Sequence, residues 1–440
     1  MLRRKLVYNT ALLTCSSLLM SCIGMAFQVW LVGRIGSVGI GLYQLTVSVT
    51  NLGATFAISG IRFASTRLIS EELGQDNPAG IQGAIKRCLG YALLFGTAAA
   101  VILWNLARPL GFLWVRDART VLSLKISALS MPCISLCSAM SGYFTACGRV
   151  WKPTLVHLIE QLAGIALVAL FLQQTPAGDI EKSCAAVTAG RLAADVLSLL
   201  LMLLFYWQDR ISHYGRVSGG ERITPRMLRI AVPLAISAYA RSALSTLQHL
   251  LVPRGLRTAG YSTDGALSGY GTIQGMALPV IFFPSCLLSA AAELIVPELT
   301  EAQVQDNRQA IRRTARELLR LSMGFSLLVS VFLLLFADKL GLLIYHSGDA
   351  GHYIRILAPL IPFMYTDMMV DGCLKGLGQQ VWSMGINILD ALLGLLLVLW
   401  LLPRYGLPAY LFVIYSTEIF NFALSLKRLW RCLSGSAMVG

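Results

Sequence analysis

The chain has 440 residues, of which 56% are hydrophobic and only 13% charged, with a mean hydropathy of +0.67. Soluble domains carry roughly 25% charged residues, so this composition excludes a soluble enzyme or binding module and points to a polytopic membrane protein. The net charge of +14 resides in short loops between apolar runs; that placement argues against nucleic acid and for membrane topology and contact with anionic lipid head groups.

In chain order, Arg3-Arg4-Lys5 precedes an apolar run to about Val32. That run exceeds the roughly 7–15 residues of a signal-peptide core, and no small-x-small cleavage site follows, so it reads as a retained first membrane helix. Candidate spans fall at 6–33, 38–66, 85–107, 120–146, 153–173, 182–207, 227–252, 266–296, 314–337, 353–374, 381–402 and 407–427. Runs of this length specify helices rather than the shorter, alternating strands of a barrel. Pro132, Pro233, Pro279, Pro284 and Pro362 lie inside spans, where they predict kinks. The cysteines sit mostly in apolar segments without metal spacing; Cys133 and Cys137, four apart, read as packing residues.

The stretch 208–226 (QDRISHYGRVSGGERITPR) is the main polar interruption near the middle of the chain. It divides the sequence into a lobe at 1–207 and a lobe at 227–440, joined by a linker. Most lysines and arginines at span ends fall on one side, including Arg3, Lys86, Arg149, Arg210, Arg226, Arg308, Arg316 and Lys427. The positive-inside bias therefore places both termini and the linker in the cytoplasm. The linker arginines read as topology signals and lipid contacts.

The halves repeat one another. Pro132, Gly142, Gly148 and Gly164 recur at one constant offset as Pro362, Gly372, Gly378 and Gly394, and Leu110-Gly111 recurs as Leu340-Gly341. Glu72-Leu73 and Ala84-Ile85-Lys86-Arg87 recur as Glu298-Leu299 and Ala310-Ile311-Arg312-Arg313 at an offset shorter by four residues, which reads as a small loop insertion. An even number of spans per half makes the copies parallel repeats of six helices each. The predicted fold is an all-α integral membrane protein of about twelve transmembrane helices in two lobes.

Gly33-Arg34-Ile35-Gly36 through Gly39-Ile40-Gly41-Leu42-Tyr43 follow span 1, Ala57-Ile58-Ser59 lie in span 2, and Ser70-Glu71-Glu72 follow it. With the six-plus-six repeat, these residues resemble the multidrug/oligosaccharide-lipid/polysaccharide exporter superfamily. The branch they look most like is the polysaccharide-export branch, which contains sporulation proteins and lipid II flippases. The resemblance covers essentially the whole chain, although many members of that branch have fourteen spans.

Ionisable groups within spans are costly and therefore candidate functional groups. Arg62 and Arg67 lie late in span 2, and Arg241 lies near the middle of span 7 without an acid at helical spacing. Arg62 could instead snorkel to the interface, and Arg241 could meet a carboxylate on another helix. Arg191 and Asp195 are four apart and can pair with each other, as can Asp371 and Lys375. The resemblance implies a cationic central cavity that meets a lipid diphosphate, a role that Arg62 and Arg241, with Gln28 and Gln248 as hydrogen-bonding neighbours, would fit. Guanidinium suits phosphate through its permanent charge and paired donors.

The second lobe carries Glu293, Asp367, Asp371, Asp390 and Glu418. Asn387 and Asp390 are one turn apart, and with Thr417 they could couple Na⁺ or a proton, as the second-lobe cation site of the resembling flippases implies. The alternative is a polar contact between helices. His157 and Glu160 take the equivalent first-lobe positions. No cofactor beyond the coupling ion is expected.

There is no Walker A sequence and no Asp-x-Asp, so neither ATP hydrolysis nor a glycosyltransferase centre is expected. Gly269-x-Gly271 with Gly275 suits close helix packing rather than a nucleotide loop, and His346, Asp349 and His352 read as an incidental outer-loop group. The expected function is a monomeric flippase of the bacterial inner membrane, not an enzyme. It would move a lipid-linked anionic saccharide, such as a cell-wall or spore-cortex peptidoglycan precursor, by alternating access. A cation-coupled multidrug antiporter of the same fold is the alternative; against it, spans 1 and 2 contain no interior Asp or Glu. A membrane glycosyltransferase or acyltransferase is a third reading.

Overall fold

The computed structural model describes the chain except residues 1, 76, 177, 214–222, 290–291, 293–298, 301–302, 304, 306 and 435–440; side chains of 2–17, 210–213 and 223 are also outside the description. Glu293 and Glu298, the acid of the Glu298-Leu299 recurrence, therefore fall outside the described residues, as does the middle of the linker.

The apolar runs form helices. They are α1 (Leu2–Ile58), α2 (Ile61–Gly74), α3 (Pro78–Pro109), α4 (Thr120–Ala146), α5 (Trp151–Gln173), α6 (Ile180–His213) and α7 (Ile223–Thr258). After α7 come α8 (Thr263–Gly271), α9 (Leu278–Phe282), α10 (Arg308–Tyr345), α11 (Gly348–Leu357), α12 (Ile361–Gly376), α13 (Gln380–Tyr405) and α14 (Leu407–Ser434). Among the described residues nine helices are long and apolar enough to cross a membrane. The first of these, Leu18–Gly74, takes in the later part of predicted span 6–33 and all of span 38–66, with a kink between them where Gly36 has φ 69°. Spans 266–296 and 353–374 are each divided, by a π-helical turn at Thr272–Ala277 ahead of Pro279 and by a 3₁₀ turn at Ala358–Leu360 ahead of Pro362. Proline removes an N–H from the ladder, and the looser or tighter turn accommodates the loss.

Span 2 departs from the predicted continuous helix. It ends at Ile58 and restarts at Ile61, with Ser59 (φ 44°) and Gly60 (φ 70°) both left-handed. A Cβ on Gly60 would stand 2.6 Å from the carbonyl oxygen of Ala231, so glycine permits both the turn and the close approach of α7.

Internal packing divides the chain into two compact units: residues 1–16 with 45–246, and residues 17–44 with 247–440. The linker is thus not the dividing point that sequence halves suggest. The first part of α7 packs with the helices that precede it, and residues 17–44 pack with the second half of the chain. The physical reason is visible at the start of α7. Arg226 donates to Glu71 (2.5 Å) and Glu72 (3.0 Å), Arg87 donates to Thr224 (2.5 Å), and Met227 and Ala231 are buried in the core formed by α2, α3 and α4. Arg226, expected at the lipid surface, is committed to an ion pair.

In the first unit α2, α3, α4 and α6 pack together, and α5 packs on α6. Serines hold the interfaces: Ser65 donates to Ala139 O (2.9 Å), and Ser135 donates to Ala57 O (2.8 Å) and Ala92 O (2.7 Å). Lys152 and Asp209 form a buried pair (2.7 Å), joined by Arg149 and by the Tyr143 hydroxyl, which donates at 3.2 Å. In the second unit α10 packs on α11 and α12, and α14 on α12 and α13. Gly271 and Gly275 serve close packing as expected. A Cβ on Gly271 would stand 2.3 Å from Ser37 O and one on Gly275 2.6 Å from Ile40 Cγ1.

Each unit repeats the same local devices. Asn77 and Asn307 cap α3 and α10 by accepting from Gly80 N and Ala310 N, Arg116 and His346 take left-handed φ of 55° and 51°, and Gly148 and Gly378 share φ 69°. The caps keep the constant offset already at Asn77 and Asn307, so the Ala310–Arg313 likeness to Ala84–Arg87 is one helical turn out of register. A one-turn slip preserves the amphipathic face, which is why the sequences mimic each other there.

Candidate functional site

Two groups of polar side chains stand inside the apolar helices, one in each unit. In the first unit the left-handed turn at Ser59–Gly60 places Arg62 in the opening turn of α2. A cation there opposes the helix dipole, which favours negative charge at an N-terminus. Tyr239 donates to Ser59 Oγ (2.6 Å), and Ser59 Oγ shares a hydrogen bond with the Tyr91 hydroxyl (2.8 Å). Thr55 donates to Ser242 at 3.3 Å. These bonds tie α7 to the end of α1 on either side of Arg241. Arg62 and Arg241 are both exposed, and among the described residues neither guanidinium has an ion-pair or hydrogen-bond partner. Arg67, by contrast, is paired with Glu71 at 3.1 Å.

The predicted neighbours Gln28 and Gln248 belong to the second unit. Gln28 donates to Gly275 O at 2.9 Å. The Gln248 amide packs on α13 at Gly394, where a Cβ would stand 2.9 Å from it. That is one turn from Asp390 on the same helix face, so Gln248 accompanies the second-unit acids.

Around those acids stand the three predicted cation-coupling residues, Asn387, Asp390 and Thr417, with Asp367 and Glu418 as two further carboxylates. Asp390 on α13 and Asp367 on α12 each have a buried Oδ1 without a hydrogen-bond partner. Glu418 on α14 faces both closely enough for their charges to interact. Thr417 is buried and spends its hydroxyl proton on Val413 O (2.9 Å), leaving its lone pairs as acceptors. Asn387 is half-buried one turn before Asp390. Asp371 is paired with Lys375 (2.6 Å), as its spacing predicts. Among the described residues no three His, Cys, Asp or Glu side chains converge as metal ligands. The cluster presents acceptor oxygens to a small cation or proton rather than a closed polyvalent cage. Asp367 and Glu418 were visible as intramembrane carboxylates; only packing joins them to Asp390.

The equivalent first-unit positions differ in charge balance. His157 Nδ1 lies 3.7 Å from Glu160 Oε2, and Arg191 interacts electrostatically with both Glu160 and Asp195. Bases attend the acids in the first unit, whereas Asp390 and Glu418 face other carboxylates.

Comparison with known proteins follows the same outline. A family model described as MatE matches residues 13–171 and 257–400. Stage V sporulation protein B of Bacillus subtilis (strain 168) is 22% identical over 414 residues, 92% of this chain and 80% of that protein. Sporulation protein YkvU of the same organism is 22% identical over 396 residues, 86% of each. Among solved structures, an inward-facing conformation of a multidrug resistance MATE family transporter of the MOP superfamily superposes with a TM-score of 0.74 at 15% identity, covering 95% of this chain and 96% of that one. A MOP superfamily transporter from Pyrococcus furiosus, described as having a binding pocket of reverse polarity that suggests a different function, gives 0.64 at 14% identity over 97% and 96%.

Proposed function

Because the chain belongs to the MatE family, and is therefore a multi-pass membrane transporter of the multidrug/oligosaccharide-lipid/polysaccharide superfamily, we propose that its cargo is a lipid-linked anionic saccharide that it flips by alternating access. The observation that carries this reading is the pair of unpartnered guanidiniums, Arg62 and Arg241, on membrane-spanning helices of one unit. A cation without a counter-charge in an apolar setting is costly. A phosphate or diphosphate head group supplies that counter-charge and takes paired donors from each guanidinium. The sporulation names of the two relatives support a cell-envelope precursor as cargo. In this reading both termini face the cytoplasm of a bacterial inner membrane, and anionic lipids surround the basic helix ends.

The cation that drives the cycle, Na⁺ or H⁺, binds at Asn387, Asp390 and Thr417, with Asp367 and Glu418 as added members. Support comes from the two buried carboxylate oxygens, Asp367 Oδ1 and Asp390 Oδ1, that have no hydrogen-bond partner among the described residues. Binding of a cation there relieves mutual repulsion among the acids.

One observation favours a second reading. The same acids could receive an organic cation, and a structural neighbour is a multidrug transporter. The deciding experiment reconstitutes the full chain in liposomes with a lipid diphosphate saccharide and, in parallel, a cationic dye. Movement of the saccharide lipid with loss of that activity in Arg241→Ala supports the flippase; movement of dye alone overturns it.

A further inference from the structure

Two cavities within the second unit share a wall. One, of about 460 Å³, is lined by Ser21, Gln28, Gln44, Ser285, Cys286 and Ser289 among others, and among the described residues no charged side chain lines it. The other, of about 600 Å³, is apolar and runs along α10, with Leu328, Phe332, Leu333 and Leu343 facing Val29 of α1 and Val280 of α9. Met25 and Phe283 line both. A polar hollow between apolar helices needs occupants that satisfy it, because lipid tails cannot.

The chemistry of the polar cavity is specific. Ser285 donates its proton to Phe282 O (2.7 Å), Ser289 to Ser285 O (3.1 Å), and Gln28 one amide proton to Gly275 O (2.9 Å). With those protons committed to backbone, Ser285 and Ser289 keep acceptor lone pairs, and Gln28 keeps its carbonyl oxygen and one amide N–H. Among the described residues, no lysine or arginine lines the cavity to hold a phosphate, and no carboxylate lines it to hold an ammonium. Uncharged hydroxyls, which donate readily and accept as well, match this set.

From this geometry we infer that the second unit holds a neutral, hydroxyl-bearing lipid, with a sugar in the cavity at Gln28 and Ser285 and a hydrocarbon chain in the groove along α10. The site is separate from the arginines of the first unit and reads the saccharide rather than the phosphate; its biological setting rests on the flippase reading above. Continuity through Met25 and Phe283 gives one amphiphile both of its surroundings at once. The Gln28 amide fixes the polar end, and α10 supplies a long apolar face that bulk lipid would otherwise cover without preference.

The test uses the full chain in phosphatidylcholine nanodiscs and three photoactivatable lipids with the same diazirine-bearing chain: a monoglucosyl diacylglycerol, a phosphatidylglycerol and a quaternary ammonium lipid. Crosslinks are mapped by mass spectrometry. The glucolipid is expected to label the segment 328–344 about fivefold more than either charged lipid, the scale of one hydrogen bond. Gln28→Leu combined with Ser285→Ala should remove that preference while labelling by the phosphatidylglycerol stays at the parent level, even though loss of the Gln28–Gly275 bond lowers the melting temperature; Leu333→Trp should lower labelling by all three. Equal labelling by the three heads, preference for the ammonium, or an unaltered preference in the double variant would each overturn the inference. Loss of the preference with diphosphate-lipid transport intact sinks only this site; preference retained without such transport sinks only the flippase reading.

Discussion

At the scale of single residues, charge without a partner is the informative feature. Arg241 was singled out in the sequence because no acid stands at helical spacing, and folding adds no described partner. Arg241→Ala is expected to abolish saccharide-lipid transport while membrane insertion and thermal melting stay as in the parent, and Arg241→Lys to recover only part, because ammonium lacks the planar fork. Full transport by the alanine variant would remove Arg241 from the site. Asp390 carries the matching argument for the cation. Asp390→Asn should erase any Na⁺ or pH dependence of transport rates in liposomes; an unchanged dependence rejects the assignment. Spacing alone paired Asp371 with Lys375, and the bond forms at 2.6 Å. The sequence shows Asp367 and Glu418 as intramembrane carboxylates but not their neighbours, which lie on other helices.

Elements show why the linker's arginines do not all share one role. Arg226 closes an ion-pair fork on Glu71 and Glu72, and Asn77 Nδ2 donates to Glu72 Oε2 at 3.0 Å. Glu72 is buried, so Glu72→Ala leaves Arg226 with a single acid and Asn77 Nδ2 without its acceptor, at a cost of about 1.5–3 kcal/mol. Thermal melting of the purified chain should register that loss, and protease sensitivity at the start of α7 should rise. Lys152 anchors the end of α6 through Asp209, with its ammonium over the rings of Phe144 (5.1 Å) and Phe205 (5.6 Å). Breaking a buried pair by removing one partner costs about 3–5 kcal/mol. Arg149 and Tyr143 remain on Asp209 in Lys152→Ala, so the measured loss should fall at or below the low end, and Lys152→Ala with Arg149→Ala should exceed it. The described residues on both sides of 214–222 are thereby fastened into the first unit. Composition marked that stretch as a boundary, but ion pairs and buried Met227 bind its flanks to one side.

At the scale of the whole molecule, two units of like construction carry unlike charge: unpartnered arginines in one, clustered acids in the other. Under the proposed function, that asymmetry within a repeat would supply a site for cargo and a site for the driving ion. If the proposal holds, dissipating the cation gradient should slow saccharide-lipid movement in liposomes without changing its binding; insensitivity to the gradient would separate the acids from the transport cycle.

The sequence by itself determined membrane residence, helical class and the repeat. Each follows from patterns carried along the chain: apolar runs of bilayer length and a constant offset of prolines and glycines. Tertiary structure alone decided the break at Ser59–Gly60, the passage of α7 from one unit to the other, the partner of Arg226 and the grouping of Asp367, Asp390 and Glu418. Those depend on which helix faces which. A helix turns every 3.6 residues and offers several faces of comparable apolarity, so interhelical neighbours are set by the packing of small residues and by polar pairing between distant segments, neither of which a single linear pattern encodes.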